Sequence, residues 1–364
     1  MNRIPSLRCR RLIAFLTVVL VIAGLSVGQA FDSKGKGKPN KPELKLPPLK
    51  TPEDKLKFLE VIHKSFPAKK AGSDVVFSPS DLDKSLELRI GLPNETYAKL
   101  VSDEGFVRRA YLDLTGGIPD AKSVEEFISS GDPKKRAKLI DRLLETKEYA
   151  RHWGHYWRNV IFHSAPVKNR RRVNPQALED WFAKEFAENT SWDRIVSELI
   201  SATPKQNKQA KNKENEWGQN HGPNNFALAY ENDPPGIAAQ TARIFMGISI
   251  QCAECHDHPF DKWKREQFHE LAAFFAPGKY YMPDQKEPSK KTEMHAQFLL
   301  DEKPPEGLKP DALRVAVAAY LVYNPDNYWF ARAYVNRIWS ELMGDGFIPS
   351  IALARTKSAS IRWS

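Results

Sequence analysis

Two cysteines and a histidine stand close together in the run Cys252-Ala253-Glu254-Cys255-His256, a C-x-x-C-H motif. Two thiols three positions apart on one turn can each add across a vinyl group of haem, and the histidine that follows can bind the iron from one face. The chain has three cysteines, and the third, Cys9, lies in the N-terminal segment. The motif therefore predicts covalently bound haem c, with Cys252 and Cys255 as thioether links and His256 as the proximal iron ligand.

Two other uses of the same residues remain open. One is a short-loop disulfide between Cys252 and Cys255. The other is a zinc or other divalent-metal site that adds His258 to the two thiolates and His256. Such a site would take its four ligands from seven consecutive residues, which is tighter than ordinary tetrahedral sites, where the ligands come from two separated pairs.

If haem is bound, a second axial ligand remains to be found. Met282 and Met294 lie downstream of the motif and are the candidates for the sixth ligand, and either would raise the reduction potential. His269 and His295 are alternatives that would lower it.

Three histidines in one aromatic-rich segment, His152, His155 and His163, could form a separate metal site, but such residues are more often half-buried with a polar tip.

The N-terminus indicates export. Four arginines and no acid occupy residues 1–11, an apolar run follows over residues 12–27, and the small residues Gly28 and Ala30 suit a signal peptidase. The apolar run is short for a membrane span, which needs about 20 residues. We expect a signal peptide over residues 1–30 and a periplasmic or cell-envelope location, with membrane contact only through an uncleaved signal.

The positive charge is concentrated near the N-terminus. The formal net charge is +10, of which residues 1–30 carry +4 and residues 31–52 another +4, so only +2 remains for the rest. A nearly neutral body does not favour nucleic acid as a partner. Residues 31–52 are rich in Lys, Pro and Gly and predict a flexible linker.

The body has the sequence signals of helices. Apolar residues repeat every three or four positions, as in the stripe Trp153, Trp157 and Ile161, and glycine and proline mark the ends, while no run of alternating strand residues appears. We predict a mostly α fold: an irregular helical domain that carries the C-x-x-C-H site, with long loops. The expected helices cover about 52–66, 106–114, 120–130, 133–145, 147–163, 175–188, 192–201, 264–276, 310–323 and 328–343.

Several sequence blocks of this chain match a known family. The most specific are the C-x-x-C-H-D-H run and the segment from Arg108 to Gly116. The chain resembles the secreted planctomycete cytochrome-associated proteins, whose two halves are domains of unknown function 1549 and 1553. The resemblance covers roughly residues 85–347 and implies a secreted, largely helical protein with a cytochrome c-type site. The matching blocks are 108–116, 118–119, 139–144, 149–157, 242–247, 251–260, 271–275, 324–327, 330–332 and 335–339.

Together these signals divide the chain. The segments are a signal peptide (1–30), a linker (31–52), an N-terminal helical segment (53–84), a 1549-like domain with the motif (85–280), a linker (281–308), a truncated start of a 1553-like domain (309–349) and an atypical tail (350–364).

Two functions of different class follow from the sequence. The first is an exported c-type cytochrome-like protein that transfers electrons to a redox partner protein of the envelope. The second is an exported non-redox protein, a hydrolase or surface-binding module, with a structural metal at the motif. No pair of carboxylates, phosphate-binding loop or nucleophile elbow stands out, so no catalytic residue is named.

Overall fold

The computed structural model describes residues 46–47, 49, 51–66, 78, 80–84, 100–166, 172–205 and 218–348. The predicted signal peptide, nearly all of the first linker and the tail at 350–364 lie outside these residues. In the described part no helix combines the length and the apolar character that a bilayer span requires.

The described chain is mostly helical, which confirms the predicted fold class. Its helices and strands are α1 (Pro52–Ser65), α2 (Asp103–Thr115), α3 (Ala121–Ser129), α4 (Lys135–Leu144), α5 (Lys147–Phe162), α6 (Pro175–Ala187), α7 (Trp192–Ser201), α8 (Asn224–Ala229), α9 (Pro234–Thr241), a π-helix (Ala242–Met246), a 3₁₀-helix (Gln251–Glu254), α10 (Arg265–Ala273), β1 (Tyr280–Pro283), β2 (Lys291–Met294), α11 (Pro310–Tyr323) and α12 (Tyr328–Met343).

Helix ends fall where local chemistry places them. At the start of α1, the Thr51 hydroxyl accepts the Asp54 amide at 3.2 Å while the Asp54 carboxylate accepts the Thr51 amide at 2.9 Å, a reciprocal capping box. At the end of α2, Gly116 has a φ of 70°, a left-handed conformation that glycine adopts without a Cβ penalty. Both boundaries match the sequence prediction.

The helices enclose two hydrophobic cores of unequal size. A small core joins α2, α3 and α4 through Val107, Phe127, Leu139 and Leu143. A large core contains α1, α5–α12 and the π-helix, and Trp153, Trp157 and Ile161 of the predicted stripe are buried in it. Burial of aromatic and aliphatic side chains on this scale is the main stabilising term of such a fold.

Close helix contact in the large core depends on Gly154 of α5. A Cβ at this position would lie 2.9 Å from the Glu179 carbonyl oxygen and 3.0 Å from the Ala183 amide nitrogen, both backbone atoms of α6. The two helices therefore approach each other closely at this point. One turn further on, Trp157 stacks with Tyr334 of α12 and meets Trp192 of α7 at a tilted angle.

The C-terminal helices belong to the same core. Val315 and Leu321 of α11 are completely buried, α11 packs on α7 and α1, and α12 packs on the π-helix, where Gly247 faces Ala333. The segment assigned to the start of a second domain thus shares its packing with the domain before it.

The segment expected to be a linker, 281–308, contains most of a short antiparallel ribbon that the sequence did not reveal. In it β1 pairs with β2, with Tyr280 opposite Met294 and Met282 opposite Thr292. Two strands of four residues are too short for period-two alternation to stand out from the surrounding loop residues.

Candidate functional site

The C-x-x-C-H motif lies on a tight turn, here called the motif turn (residues 251–258). The 3₁₀-helix Gln251–Glu254 begins it, so Cys252 lies within this helix and Cys255 is the residue that follows its last position. Cys252 and Cys255 are both exposed and are not joined by a disulfide, while Ala253 between them is buried. The turn therefore presents two thiols to solvent and is anchored by its small apolar residue.

Backbone carbonyl groups hold the motif turn to the protein. The Glu254 carbonyl accepts from the Arg265 Nε at 3.2 Å and from the His269 Nε2 at 3.0 Å. The Cys255 carbonyl accepts from the Gln285 side-chain amide at 2.6 Å. The turn is thus fixed through its main chain, and its reactive side chains stay free of these contacts.

The two histidines of the turn differ in which ring nitrogen is available. The His256 Nδ1 lies 2.7 Å from the Asp257 carbonyl oxygen, which can only accept, so Nδ1 carries the proton and the lone pair of Nε2 is free. The His258 Nδ1 accepts the Phe260 amide at 3.3 Å, so in neutral His258 the proton is on Nε2. A metal-binding histidine typically donates its other ring N–H to a carbonyl or carboxylate, and His256 already meets that condition.

A preformed non-haem metal site is not seen at the turn. Over the described ranges, no group of three or more His, Cys, Asp and Glu side chains is arranged to hold a metal ion. This finding also applies to His152, His155 and His163; among these, His155 instead pairs with Glu179 at 3.2 Å. The four residues proposed for zinc therefore do not converge without a rearrangement.

The ribbon carries both candidate sixth ligands beside the motif turn. Because paired residues and residues two apart share a face of a strand pair, Met282 and Met294 lie on the same face as Tyr280. The Tyr280 hydroxyl reaches His269 at 2.8 Å, and His269 in turn contacts the motif turn. Met282 is buried and Met294 is partly exposed.

His269 and His295 have different surroundings. His269 is buried and uses both ring nitrogens: Nε2 donates to the Glu254 carbonyl and Nδ1 accepts from Tyr280. Burial lowers the pKa of His269, more than its bond to the Glu254 carbonyl raises it, which favours the neutral ring. His269 is therefore a structural residue in this arrangement, whereas His295 is exposed.

Acidic groups around the turn have contrasting environments. Burial raises the pKa of Glu254, and the nearby charge of Asp233 raises it further. The pKa of Asp257 is lowered, first by the bond from the Lys264 ammonium, at 2.7 Å, and then by the Arg265 amide. The exposed side of the turn is thus charged, and the side that faces the protein disfavours ionisation.

An aromatic anchor follows the turn. Trp263 is buried, its carbonyl accepts the His258 amide at 2.9 Å, and its indole lies edge-on to Trp329 of α12, with ring centroids 6.0 Å apart. Phe260, within the same loop, is 94% exposed. The loop that follows the motif turn therefore places one large apolar side chain in solvent.

Sequence reasoning identified the motif residues but missed their supports. Arg265, which is buried, donates its Nη2 to the Pro283 carbonyl at 2.6 Å and so ties the ribbon to the turn, and Gln285 completes that tie. Neither residue has a sequence signal, because bonds from long side chains to distant carbonyl groups leave no periodic pattern.

The fold and the motif define a mostly helical protein with a solvent-facing C-x-x-C-H turn. The sequence profile of PSCyt2, described as a protein of unknown function (DUF1549), matches residues 81–280, and the chain belongs to this family. Searches of curated proteins and of solved structures found no match.

Proposed function

We propose that this chain is an exported c-type cytochrome-like protein that binds haem covalently at the motif turn and passes electrons to a redox partner in the cell envelope. The observation that carries the proposal is the state of the three motif side chains. Both thiols of the motif turn are exposed and not joined by a disulfide, and His256 has its Nδ1 proton committed to a carbonyl and its Nε2 free.

These residues fit the chemistry that haem requires. Cys252 and Cys255 would each form a thioether, the thiol hydrogen and sulfur adding across one vinyl double bond, and His256 would provide the proximal nitrogen. Haem, when bound, supplies a one-electron couple. The Asp257 carbonyl orients the His256 ring, and Arg265, His269 and Gln285 keep the turn in place.

The ribbon supports a methionine as the sixth ligand. Met282 and Met294 share the ribbon face that contacts α10 through Tyr280 and His269. Thioether ligation raises the reduction potential relative to a second histidine. We propose one of these two methionines in preference to His269, whose ring nitrogens are both engaged.

Export, the signal peptide and the 1553-like assignment of residues 309–349 are part of the same proposal. They are supported by the arginine-rich, then apolar N-terminus and by the resemblance of residues 324–339 to that family. N-terminal sequencing of the envelope fraction tests export, with a mature chain starting at or near Phe31 as the expected result. An N-terminus at Met1 in the membrane fraction would show an anchor instead.

Haem attachment is tested by expressing the full chain with the cytochrome c maturation machinery. We expect a pyridine haemochrome spectrum and an intact mass greater than the polypeptide by one haem. Cys252→Ser and Cys255→Ser should each remove one thioether, and Cys9→Ser is the matched control that should change nothing. A mass equal to the bare polypeptide would overturn the proposal.

The two histidines separate haem from a structural metal. His256→Ala should retain covalent haem but change its absorption spectrum, because the proximal nitrogen is lost, whereas His258→Ala should leave the spectrum unchanged. Equimolar zinc without haem, lost in both His256→Ala and His258→Ala, would support the non-redox alternative.

A further inference from the structure

A second cluster of polar groups lies in the large core, at the junction of α5, α12 and the π-helix. Arg337 of α12 is 7% exposed, and its guanidinium lies 5.6 Å from the centre of the Trp157 ring. One edge of that guanidinium is bonded to the Tyr156 hydroxyl. The Nε and Nη2 atoms are buried and have no hydrogen-bond acceptor.

Arg243 of the π-helix contributes a second positive charge to this cluster. Its Nε donates to the Gln240 side chain at 2.5 Å, and it is also bonded to the Tyr230 hydroxyl. Its Nη2 is buried without an acceptor. The π-helix packs directly on α12, which carries Arg337. Burial lowers the pKa of Arg243, and the charge of Arg337 lowers it further.

One acid, Glu341, acts on Arg337 of this pair. Glu341 is bonded to the Tyr156 hydroxyl and interacts with the Arg337 charge. Burial raises the pKa of Glu341, while its bond to Tyr156 and the charge of Arg337 lower it. The acceptors bonded to the two guanidinium groups, the Tyr156 and Tyr230 hydroxyls and the Gln240 side-chain amide, are neutral, and an uncompensated buried charge is costly.

We propose that Arg243 and Arg337 form a buried binding site for one small oxyanion, a carboxylate or a phosphate group. The Nε and Nη2 hydrogens of a guanidinium point in parallel along one edge, the arrangement that accepts two oxygens of one carboxylate or phosphate. Arg337 has that edge free, Arg243 adds a further free N–H, and the Trp157 indole N–H is also buried without an acceptor. Four buried N–H donors without acceptors and two guanidinium charges therefore lie at this junction, and this combination favours an oxyanion.

The proposed oxyanion site does not depend on the chemistry of the motif turn. It needs neither the thiols nor His256, and the residues that form it come from α5, α12 and the π-helix. Its test is therefore independent of haem attachment.

The test is isothermal titration of the full chain with inorganic phosphate and, separately, with acetate, in sodium chloride at matched ionic strength. We expect one site per chain for at least one of the two probes, and the probe that binds identifies which oxyanion is preferred. Arg337→Gln should weaken binding about tenfold or more, because a charge-assisted double hydrogen bond is lost. Arg332→Gln, a change on the same helix, is the matched control and should bind like the wild type.

Folding of the variants is checked by near-ultraviolet circular dichroism. If Arg337→Gln does not fold, Arg337→Lys keeps the charge but removes the parallel N–H pair and should still weaken binding. The proposal is overturned if the wild-type chain binds neither probe, if equal chloride gives the same heat, or if the folded Arg337 variant binds as tightly as the wild type.

Discussion

Arg265 provides the sharpest test of how the candidate site is assembled. Its Nε bond to the Glu254 carbonyl and its Nη2 bond to the Pro283 carbonyl join the motif turn to the ribbon. We consider Arg265→Met, which keeps an unbranched stem of similar length but removes both donors. The variant should loosen the ribbon and the turn while the large core stays intact.

The magnitude follows from the two bonds and from what remains after they are lost. A hydrogen bond from a charged group contributes about 1.5–3 kcal/mol. The Glu254 carbonyl keeps its bond from His269, and removing the buried guanidinium also removes its desolvation cost, so the two losses do not add completely. We expect the free energy of local opening to fall by about 2–3 kcal/mol.

Hydrogen exchange measured by mass spectrometry gives this quantity segment by segment. Amides in residues 280–294 should exchange about 30 to 140 times faster, since about 1.4 kcal/mol corresponds to a factor of ten. Amides of α7, in the large core, should be unchanged and provide the internal reference. Arg265→Lys, which keeps the charge but not the planar pair of donors, should give exchange rates in residues 280–294 between those of the wild type and those of Arg265→Met.

Two results would refute this reasoning. Unchanged exchange in the ribbon would mean that Gln285 and the strand pairing hold it without Arg265. An equal increase in the ribbon and in α7 would mean that Arg265 stabilises the whole fold and does not act as a local tie.

Two further predictions concern stability, measured by denaturant unfolding. Gly154→Ala should lower the free energy of unfolding by about 1–2 kcal/mol, because the overpacking of α5 against α6 backbone atoms outweighs the gain in helix propensity. In the control Gly278→Ala the new Cβ meets nothing within 4 Å and should not destabilise the protein, so equal effects of the two variants would contradict the close-contact argument. The pKa of Glu198 is raised, first by burial and then by Glu185, so the folded state loses stability as pH rises through that raised pKa. Glu198→Gln should therefore be more stable than the wild type at pH 7 and equal to it at a pH below the pKa of Glu198 in the unfolded chain. A difference in stability that persists in acid would contradict this cause.

Local signals predicted most of the helical fold. The Thr51 cap with Asp54, the stop at Gly116 and the stripe of Trp153, Trp157 and Ile161 each act within a few residues, so the sequence contains the whole interaction. The sequence did not predict the ribbon, because its eight residues are held by backbone bonds to the opposite strand and show no pattern of their own.

The site was predictable in its chemistry but not in its geometry. The spacing of Cys252, Cys255 and His256 can be read from the sequence. That the Nε2 lone pair is free in His256, whereas Nε2 carries the proton in neutral His258, depends on one backbone contact at each ring. Likewise, Arg243 and Arg337 are far apart in the chain, and only packing of α12 on the π-helix brings their charges together.

The shared core of α11 and α12 changes what counts as a folding unit in this protein. The family profile covers residues 81–280, yet α1 lies before that range, α11 and α12 lie after it, and all three pack in the large core. A fragment cut to the profile would leave the surface of α7 that α11 covers open to water, along with the surface of the π-helix that α12 covers. Such a fragment should express as an aggregating polypeptide, so the boundary drawn by sequence similarity is not a boundary at which the protein can be divided.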